Sequence, residues 1–344
     1  MSMNNKKYNF AVVGATGLVG SMMLKVLAER TQLPIGKVSA VATARSAGSE
    51  VKFRDESLVV ADIASFDFKG VDIALFAGGD VAAAEYVKKA AAAGAVAIDN
   101  SSIFRMDPEV PLVVPEVNGH AIKQHKGIIA NPNCSTIQMM SVLAPLHKAF
   151  GLKSVSVATY QSVSGAGKEA VEELRRQTKA MLEGKAIEGK SCFPKRIGFN
   201  LFPQIGSFDG EGNTTEETKM VNETKKILEL PEIPVLATCV RVPVFFAHSE
   251  AVQASFEKEC SPEEARAILS KAPCVKVMDE PSQGIYPTPV EGEDQDLVLV
   301  GRIRRDPTVE HGISMWVVAD NLRKGAATNA VNIAQALIEE RDAE

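Results

Sequence analysis

The sequence predicts an α/β protein in two parts: an N-terminal doubly wound parallel sheet, then an α+β domain with a mixed or antiparallel sheet. Three observations carry this. A glycine-rich turn, Gly14-Ala15-Thr16-Gly17-Leu18-Val19-Gly20, joins a short apolar run to a helical pattern near the start of the chain. Short apolar runs then alternate with helical segments up to about residue 132, as parallel βαβ units do. Beyond that point the β segments lengthen and alternate in polarity, which suits strands covered on one face. At 344 residues the chain exceeds one ordinary core. The expected division is 1–132, completed by a C-terminal helix within 323–344, and 133–322.

Taken in order, Tyr8 to Val13 is a strand entering a buried sheet, and Ser21 to Glu29 is a helix with Met22, Met23, Val26 and Leu27 as its apolar stripe. The glycines between them suit a tight turn whose backbone a phosphate can approach, with a dinucleotide pyrophosphate on the helix N-terminus. This is a Rossmann-like arrangement, and its candidate cofactor contacts are Gly14, Thr16, Gly17, Leu18, Val19 and Gly20. The spacing is GxxGxxG rather than the commoner GxGxxG, so a glycine turn without a ligand is the alternative. The second strand, Lys37 to Thr43, decides which dinucleotide is bound. An NAD-binding domain carries a carboxylate at its end, whereas this strand runs into Thr43-Ala44-Arg45-Ser46. Hydroxyls and a guanidinium welcome a 2′-phosphate, so Thr43, Arg45 and Ser46 point to NADP. The alternative is that Arg45 only solvates a loop.

The alternation continues with strands at Leu58 to Ala61 and Val71 to Phe76, a helix over Val81 to Ala93, and strands at Ala95 to Ile98 and Leu112 to Val114. Asp99 to Arg105 follows a strand on the loop rim where open α/β sheets bind ligands. Next comes Asn131-Pro132-Asn133-Cys134-Ser135-Thr136, a Pro-containing turn between Gly127-Ile128-Ile129-Ala130 and a helical pattern. It places Cys134 in a helix's first turn, where free N–H groups and the macrodipole favour a thiolate. A small buried hydrophobe is the other reading of a lone cysteine.

In the second part, Val155 to Val163, Leu236 to Val244, Glu250 to Phe256, Leu297 to Arg304 and Ser314 to Ala319 read as strands, and Thr215 to Leu228 as a helix. Gln204 to Thr215 reads as a mobile loop. The tail Ala326 to Glu340 is an amphipathic helix expected to return to the first domain. The formal charge of −5 argues against nucleic acid or an anionic membrane as partner. Five widely spaced cysteines without a CxxC pair suggest a reducing compartment and no metal site. The basic start, Met1 to Lys7, is not a convincing signal peptide, and no run of apolar residues is long enough to span a bilayer. A cytoplasmic location is expected.

The ordered set of motifs resembles the aspartate-β-semialdehyde dehydrogenase family from Tyr8 to about Ile338. Besides the glycine turn and the cysteine stretch, the matches are Asn100-Ser101-Ser102-Ile103-Phe104-Arg105, Val114-Pro115-Glu116-Val117-Asn118 and Gln161-Ser162-Val163-Ser164-Gly165-Ala166-Gly167. They continue with Glu216-Glu217-Thr218-Lys219, Arg241-Val242-Pro243-Val244, His248-Ser249-Glu250, and Asp320 through Ala326. The resemblance implies an NADP-binding first domain and a second domain for catalysis and dimerisation. It implies NADPH-dependent reduction of L-aspartyl-4-phosphate to L-aspartate-4-semialdehyde, with release of phosphate. That step leads towards lysine, methionine and threonine, and in bacteria towards diaminopimelate.

As carried over, Cys134 is the acyl-enzyme nucleophile, His248 the acid/base and Gln161 an orienting residue. Arg241 is the carboxylate clamp. Arg105 and Lys219, with Asn100 beside them, are the cations for the substrate phosphate, and Glu216 takes the substrate ammonium. Ser164, Gly165 and Asn321 approach the nicotinamide. The chemistry fits independently, since a thiolate can expel phosphate from an acyl phosphate and leave a thioester. Glu216 and Lys219, three apart, share a helix face, and an ordinary surface ion pair is the alternative. His120, His125, His147 and His311 read as structural. An N-acetyl-γ-glutamyl-phosphate reductase is the runner-up, but its acylated amine gives Glu216 no role. The cysteine context departs from that of glyceraldehyde-3-phosphate dehydrogenases. A scaffold that kept the fold and lost the chemistry would not need Cys134 and His248.

Overall fold

The structure, a computed structural model, describes residues 6–343; Met1–Asn5, most of the basic start, and Glu344 lie outside the described residues. The chain forms two compact units, one ending at Asn133 and resuming at Ala326, the other running Cys134–Gly325.

The first unit contains β1 (Tyr8–Val13), α1 (Leu18–Glu29), β2 (Ile35–Ala42), β3 (Glu50–Phe53), β4 (Glu56–Val59), β5 (Ala61–Asp62), β6 (Ile73–Phe76), α2 (Gly79–Ala92), β7 (Val96–Asp99), α3 (Pro115–Asn118) and β8 (Ile128–Ala130). Its main sheet has the order β5-β2-β1-β6-β7-β8, and every pair is parallel. Strands such as β6 are apolar at every position because both faces are covered. The order reverses between β1 and β6, so a crevice opens at their C-terminal ends, where Gly14 and Ala77-Gly78 lie. The C-terminal helix Thr328–Ala343 closes this core with Ile333, Leu337 and Ile338. Each such side chain contributes about 1.5–3 kcal/mol by burial.

Two expected strands differ. The segment read as one strand at Leu58 to Ala61 is the second half of a hairpin, β3 with β4, followed by the two-residue β5. Its turn is Arg54-Asp55, with Arg54 at φ +53. A two-residue turn without glycine carries no sequence signal. Leu112 to Val114 forms only a bridge from Leu112 to Ala130. The side chain of Asn118 replaces the missing ladder: its Oδ1 accepts from the Val114 N–H at 2.9 Å and its Nδ2 donates to the Leu112 carbonyl at 2.9 Å.

The second unit contains α4 (Cys134–Phe150), β9 (Leu152–Gln161), α5 (Lys168–Leu182), α6 (Thr215–Leu228), β10 (Val235–Arg241), β11 (His248–Phe256), α7 (Pro262–Leu269), β12 (Val275–Val277), α8 (Pro289–Gly292), β13 (Val298–Asp306) and β14 (Gly312–Ala319). Its sheet, β10-β9-β11-β14-β13-β12, is parallel at its two outer pairs and antiparallel within. Along β9 the residues Val155, Val157, Thr159 and Gln161 are buried while Ser156 and Tyr160 are exposed, so one face is covered and α4 lies on it.

α6 begins with a capping box in which Thr214 and Glu217 satisfy each other's backbone. Glu217 also accepts from the Cys239 N–H at 2.8 Å, tying the helix to β10. The loop before it, Gln204 to Thr215, contains the bridge Phe208–Thr214, and the bridge Phe202–Arg241 lies just ahead of it.

Candidate active site

In the first unit the glycine turn is shaped by close approach. Gly14 has φ +83, and a Cβ there would meet the Ala77 carbonyl at 2.6 Å; a Cβ on Gly20 would meet the Gly14 oxygen at 2.1 Å. Gly17 begins α1 with no side-chain cap, and the helix has no acidic residue in its first turn. Uncapped N–H groups and the positive end of the helix therefore face the turn, where a pyrophosphate fits. Leu18 and Val19 form the first turn, half-buried. Thr16 Oγ1 donates to Ser46 Oγ at 3.2 Å, joining the turn to the loop after β2. Thr43 and Arg45 are exposed on that loop, and no carboxylate ends β2. The residues fit a dinucleotide carrying a 2′-phosphate.

Arg105 is buried, and its Nη2 donates to the Asn100 carbonyl at 2.8 Å. Asn131 Nδ2 donates in turn to Asn100 Oδ1, so the guanidinium stands on a fixed backbone.

In the second unit Cys134 opens α4, and it is half-buried while the residues after it are buried. The helix has no acidic residue in its first turn and carries His147 and Lys148 in its last, an arrangement that complements its dipole. All five cysteines are free. Burial pushes the Cys239 thiol up and raises Cys260 to about 11, and Cys192 is raised by burial and by Glu173. None of these three begins an α-helix. Gly325 packs directly on Cys134, since a Cβ there would lie 2.8 Å from Cys134 Cβ.

Gln161 ends β9 with its Nε2 donating to Ser135 Oγ at 3.0 Å and to Glu216 Oε1 at 3.2 Å. Lys219 Nζ donates to Glu216 Oε2 at 3.3 Å. This is no surface pair, because the Glu216 side chain is only 9% exposed. Arg241 ends β10, buried, with Nη1 donating to the Ser162 carbonyl at 2.6 Å. Burial pulls its guanidinium below the usual value, opposed first by Glu216 and then by Cys134. Both partners are therefore within electrostatic reach of Arg241.

His248 begins β11 and is fully buried. Burial, helped by the charge on Arg241, pushes its imidazole well below the ordinary range. A Cβ on Gly165 would lie 3.2 Å from both His248 Nε2 and Arg241 Nη1, so Gly165 borders both side chains and is itself exposed. Ser164 and Asn321 bond inward, Ser164 Oγ donating to Asn321 Oδ1 at 3.1 Å.

Each unit thus gathers its own share of the expected site residues. Sequence reasoning missed Ser135, Ser162 and Gly325, although all three lie inside or beside the matched motifs. Their signal is contact with a functional side chain, which spacing does not carry. His125 and His147 are structural as expected, accepting at Nδ1 from the N–H groups of Gly127 and Leu152.

Comparison with known proteins places this geometry. A family model described as "Semialdehyde dehydrogenase, NAD binding domain" matches residues 9–125, and one described as "Semialdehyde dehydrogenase, dimerisation domain" matches residues 143–324. The aspartate-semialdehyde dehydrogenase of Aquifex aeolicus is 52% identical over 336 residues, covering 97% of this chain and 98% of that protein. That of Bacillus subtilis is 47% identical over 334 residues, covering 95% and 96%. Aspartate semialdehyde dehydrogenase II of Vibrio cholerae, solved complexed with ASA, superposes with a TM-score of 0.94 at 45% identity, covering 97% of this chain and 99% of that one. The Candida albicans enzyme, solved with NADP, has a TM-score of 0.74 at 26% identity, covering 98% and 100%. The chain belongs to the aspartate-semialdehyde dehydrogenase family of oxidoreductases.

Proposed function

We propose that the chain reduces L-aspartyl-4-phosphate to L-aspartate-4-semialdehyde with NADPH, releasing phosphate. The observation that carries the substrate assignment is the buried Glu216 carboxylate beside Gln161, Lys219 and Arg241. The carboxylate already pairs with Lys219, and a free substrate ammonium adds a second cation to it, whereas an N-acylated substrate offers it no charge. Arg241 offers two parallel donors to the α-carboxylate. Lys219 provides a cation for phosphate, and Arg105 is held on Asn100 for the same ligand class.

The Cys134 thiolate bonds to the acyl carbon, and the carbon–oxygen bond to phosphate breaks with its pair leaving on phosphate. The product on the protein is a thioester. NADPH, when bound, supplies the hydride that reduces that carbon. Cys134 then departs as thiolate and frees the aldehyde, while Gln161, fixed by Ser135 and Glu216, orients the acyl group.

The same reading gives a homodimer of cytoplasmic enzyme, formed through the open face of the second unit's sheet. Leu236 and Tyr160 are exposed on that face, and Tyr160 packs on Trp316 with ring centroids 5.3 Å apart. Among the described residues no helix is long and apolar enough to cross a membrane.

The test runs the reaction backwards: aspartate semialdehyde, phosphate and NADP should generate the NADPH absorbance band, and no absorbance change overturns the reading. Arg45→Ala should raise the KM for NADP about tenfold or more and leave the KM for NAD nearly unchanged, as loss of a charged bond to the 2′-phosphate requires. Equal effects on the two cofactors would remove Arg45 from 2′-phosphate selection.

A further inference from the structure

The chemistry of the imidazole is set by what surrounds it. The backbone N–H of Ser162 donates to His248 Nδ1 at 3.1 Å, and Ser162 Oγ lies 3.0 Å from the same nitrogen. A backbone amide can only donate, so Nδ1 must offer its lone pair and the ring proton sits on Nε2. Nε2 is buried and has no hydrogen-bond partner among the described residues. A ring turned over would set carbon against the Ser162 N–H and leave that buried donor unmatched.

Ser162 is itself held from several sides. Its hydroxyl donates to Asn321 Oδ1 at 3.1 Å or to its other neighbours, Ser164 Oγ at 3.0 Å and Nδ1, and its carbonyl accepts from Arg241. Asn321 Oδ1 also accepts from the Ala247 N–H at 3.1 Å. Ala247 has φ +63, a left-handed conformation that alanine rarely adopts, and it immediately precedes His248. Asn321 therefore fixes both the backbone that carries the ring and the serine that faces it.

We infer that Ser162 locks His248 as the Nε2–H tautomer, so that the ring presents a neutral hydrogen-bond donor to the oxygen that becomes anionic. This rests on the thioester reaction proposed above. Placing a second proton on Nδ1 would set it against the Ser162 N–H, and both burial and the nearby Arg241 charge oppose the imidazolium. A backbone hydrogen bond at Ala247 favours the charged ring, but less than burial and Arg241 oppose it.

The balance of the step follows. As Cys134 adds to the acyl carbon, the carbonyl π pair moves onto oxygen, where Nε2–H bonds to it without transferring its proton. The pair returns as phosphate leaves, and phosphate takes its proton from solvent. After hydride arrives, the same donor holds the second oxyanion until Cys134 departs. The sulfur must enter as thiolate, a state that the start of α4 and Arg241 favour.

The test is ring-nitrogen NMR on the full chain labelled with 15N-histidine, with His248 assigned by the signals missing from His248→Asn. A single neutral form, with pyridine-type Nδ1 and pyrrole-type Nε2, is expected at neutral pH. The opposite tautomer, a mixture or an imidazolium overturns the inference. This readout does not depend on turnover. Absence of activity in the wild type would refute the proposed reaction and leave the tautomer standing, and the wrong tautomer in an active enzyme would do the reverse. Ser162→Ala keeps the backbone N–H and removes the tie to Asn321. Its tautomer should be unchanged, with kcat about tenfold lower and KM for aspartate semialdehyde within about twofold. A tautomer change, an unchanged kcat, or a loss confined to KM would each overturn the role given to Ser162.

Discussion

Replacing Cys134 by alanine is expected to lower kcat by on the order of 10⁴-fold or more while the protein still binds NADP. The size follows from chemistry: without the sulfur there is no thioester, and neither Arg241 nor His248 can form an acyl intermediate in its place. The fold should tolerate the change. Cys134 is a small, half-buried side chain at the start of α4, and the helix is anchored by the buried stretch Ser135 to Leu143. Gly325, packed on Cys134 Cβ, touches an atom that alanine retains. Steady-state assay in the phosphorylating direction, with a fluorescence titration of NADP, separates the two properties. Activity within about tenfold of wild type would refute the assignment of the nucleophile.

Arg241→Lys is expected to lower kcat/KM by roughly 10- to 150-fold, about 1.5–3 kcal/mol, although the charge is kept. The guanidinium is buried and already donates Nη1 to the Ser162 carbonyl, which sets its plane while other donors remain for a carboxylate. Lysine offers a point charge at the end of a flexible stem. It cannot hold Ser162 and two carboxylate oxygens together, and its smaller head leaves the Ser162 carbonyl unpaired. The comparison to make is kcat/KM for aspartate semialdehyde in Arg241→Lys and in the wild type, each at saturating NADP. Near-wild-type values would count against two-point recognition. Because Ser162 contacts both Arg241 and His248, the variant should also disturb the imidazole, so its effects should not add to those of Ser162→Ala.

Local pattern made much of the molecule readable. The strand–glycine turn–helix at Tyr8 to Glu29, the helix Thr215–Leu228 and the strand at Ser314 to Ala319 appear where periodicity and punctuation put them. Where local signals were weak the reading slipped. The Arg54-Asp55 turn has no glycine, and the Leu112–Val114 stretch meets β8 only at Ala130, its Leu112 carbonyl and Val114 N–H bonding the Asn118 side chain. The π-helical turn Arg323–Ala327, just ahead of the C-terminal helix, has no counterpart in the apolar pattern either.

The sequence by itself determined the two architectures, the position of Cys134 at a helix start, and the residue types proposed to meet a 2′-phosphate, a carboxylate and an ammonium. Those features depend on neighbours within a few positions, or on a residue's own chemistry. Only the tertiary structure decided how the side chains are held: that Glu216 is a buried acid and not half of a surface pair, that Gly325 must lack a side chain because Cys134 lies against it, and that Ser162 dictates which nitrogen of His248 carries the proton. Ser162 and His248 are 86 positions apart and Cys134 and Gly325 further still. Their contacts arise from strand pairing and helix packing across the second unit, and the direction of a hydrogen bond over such a separation leaves no mark in local composition or spacing.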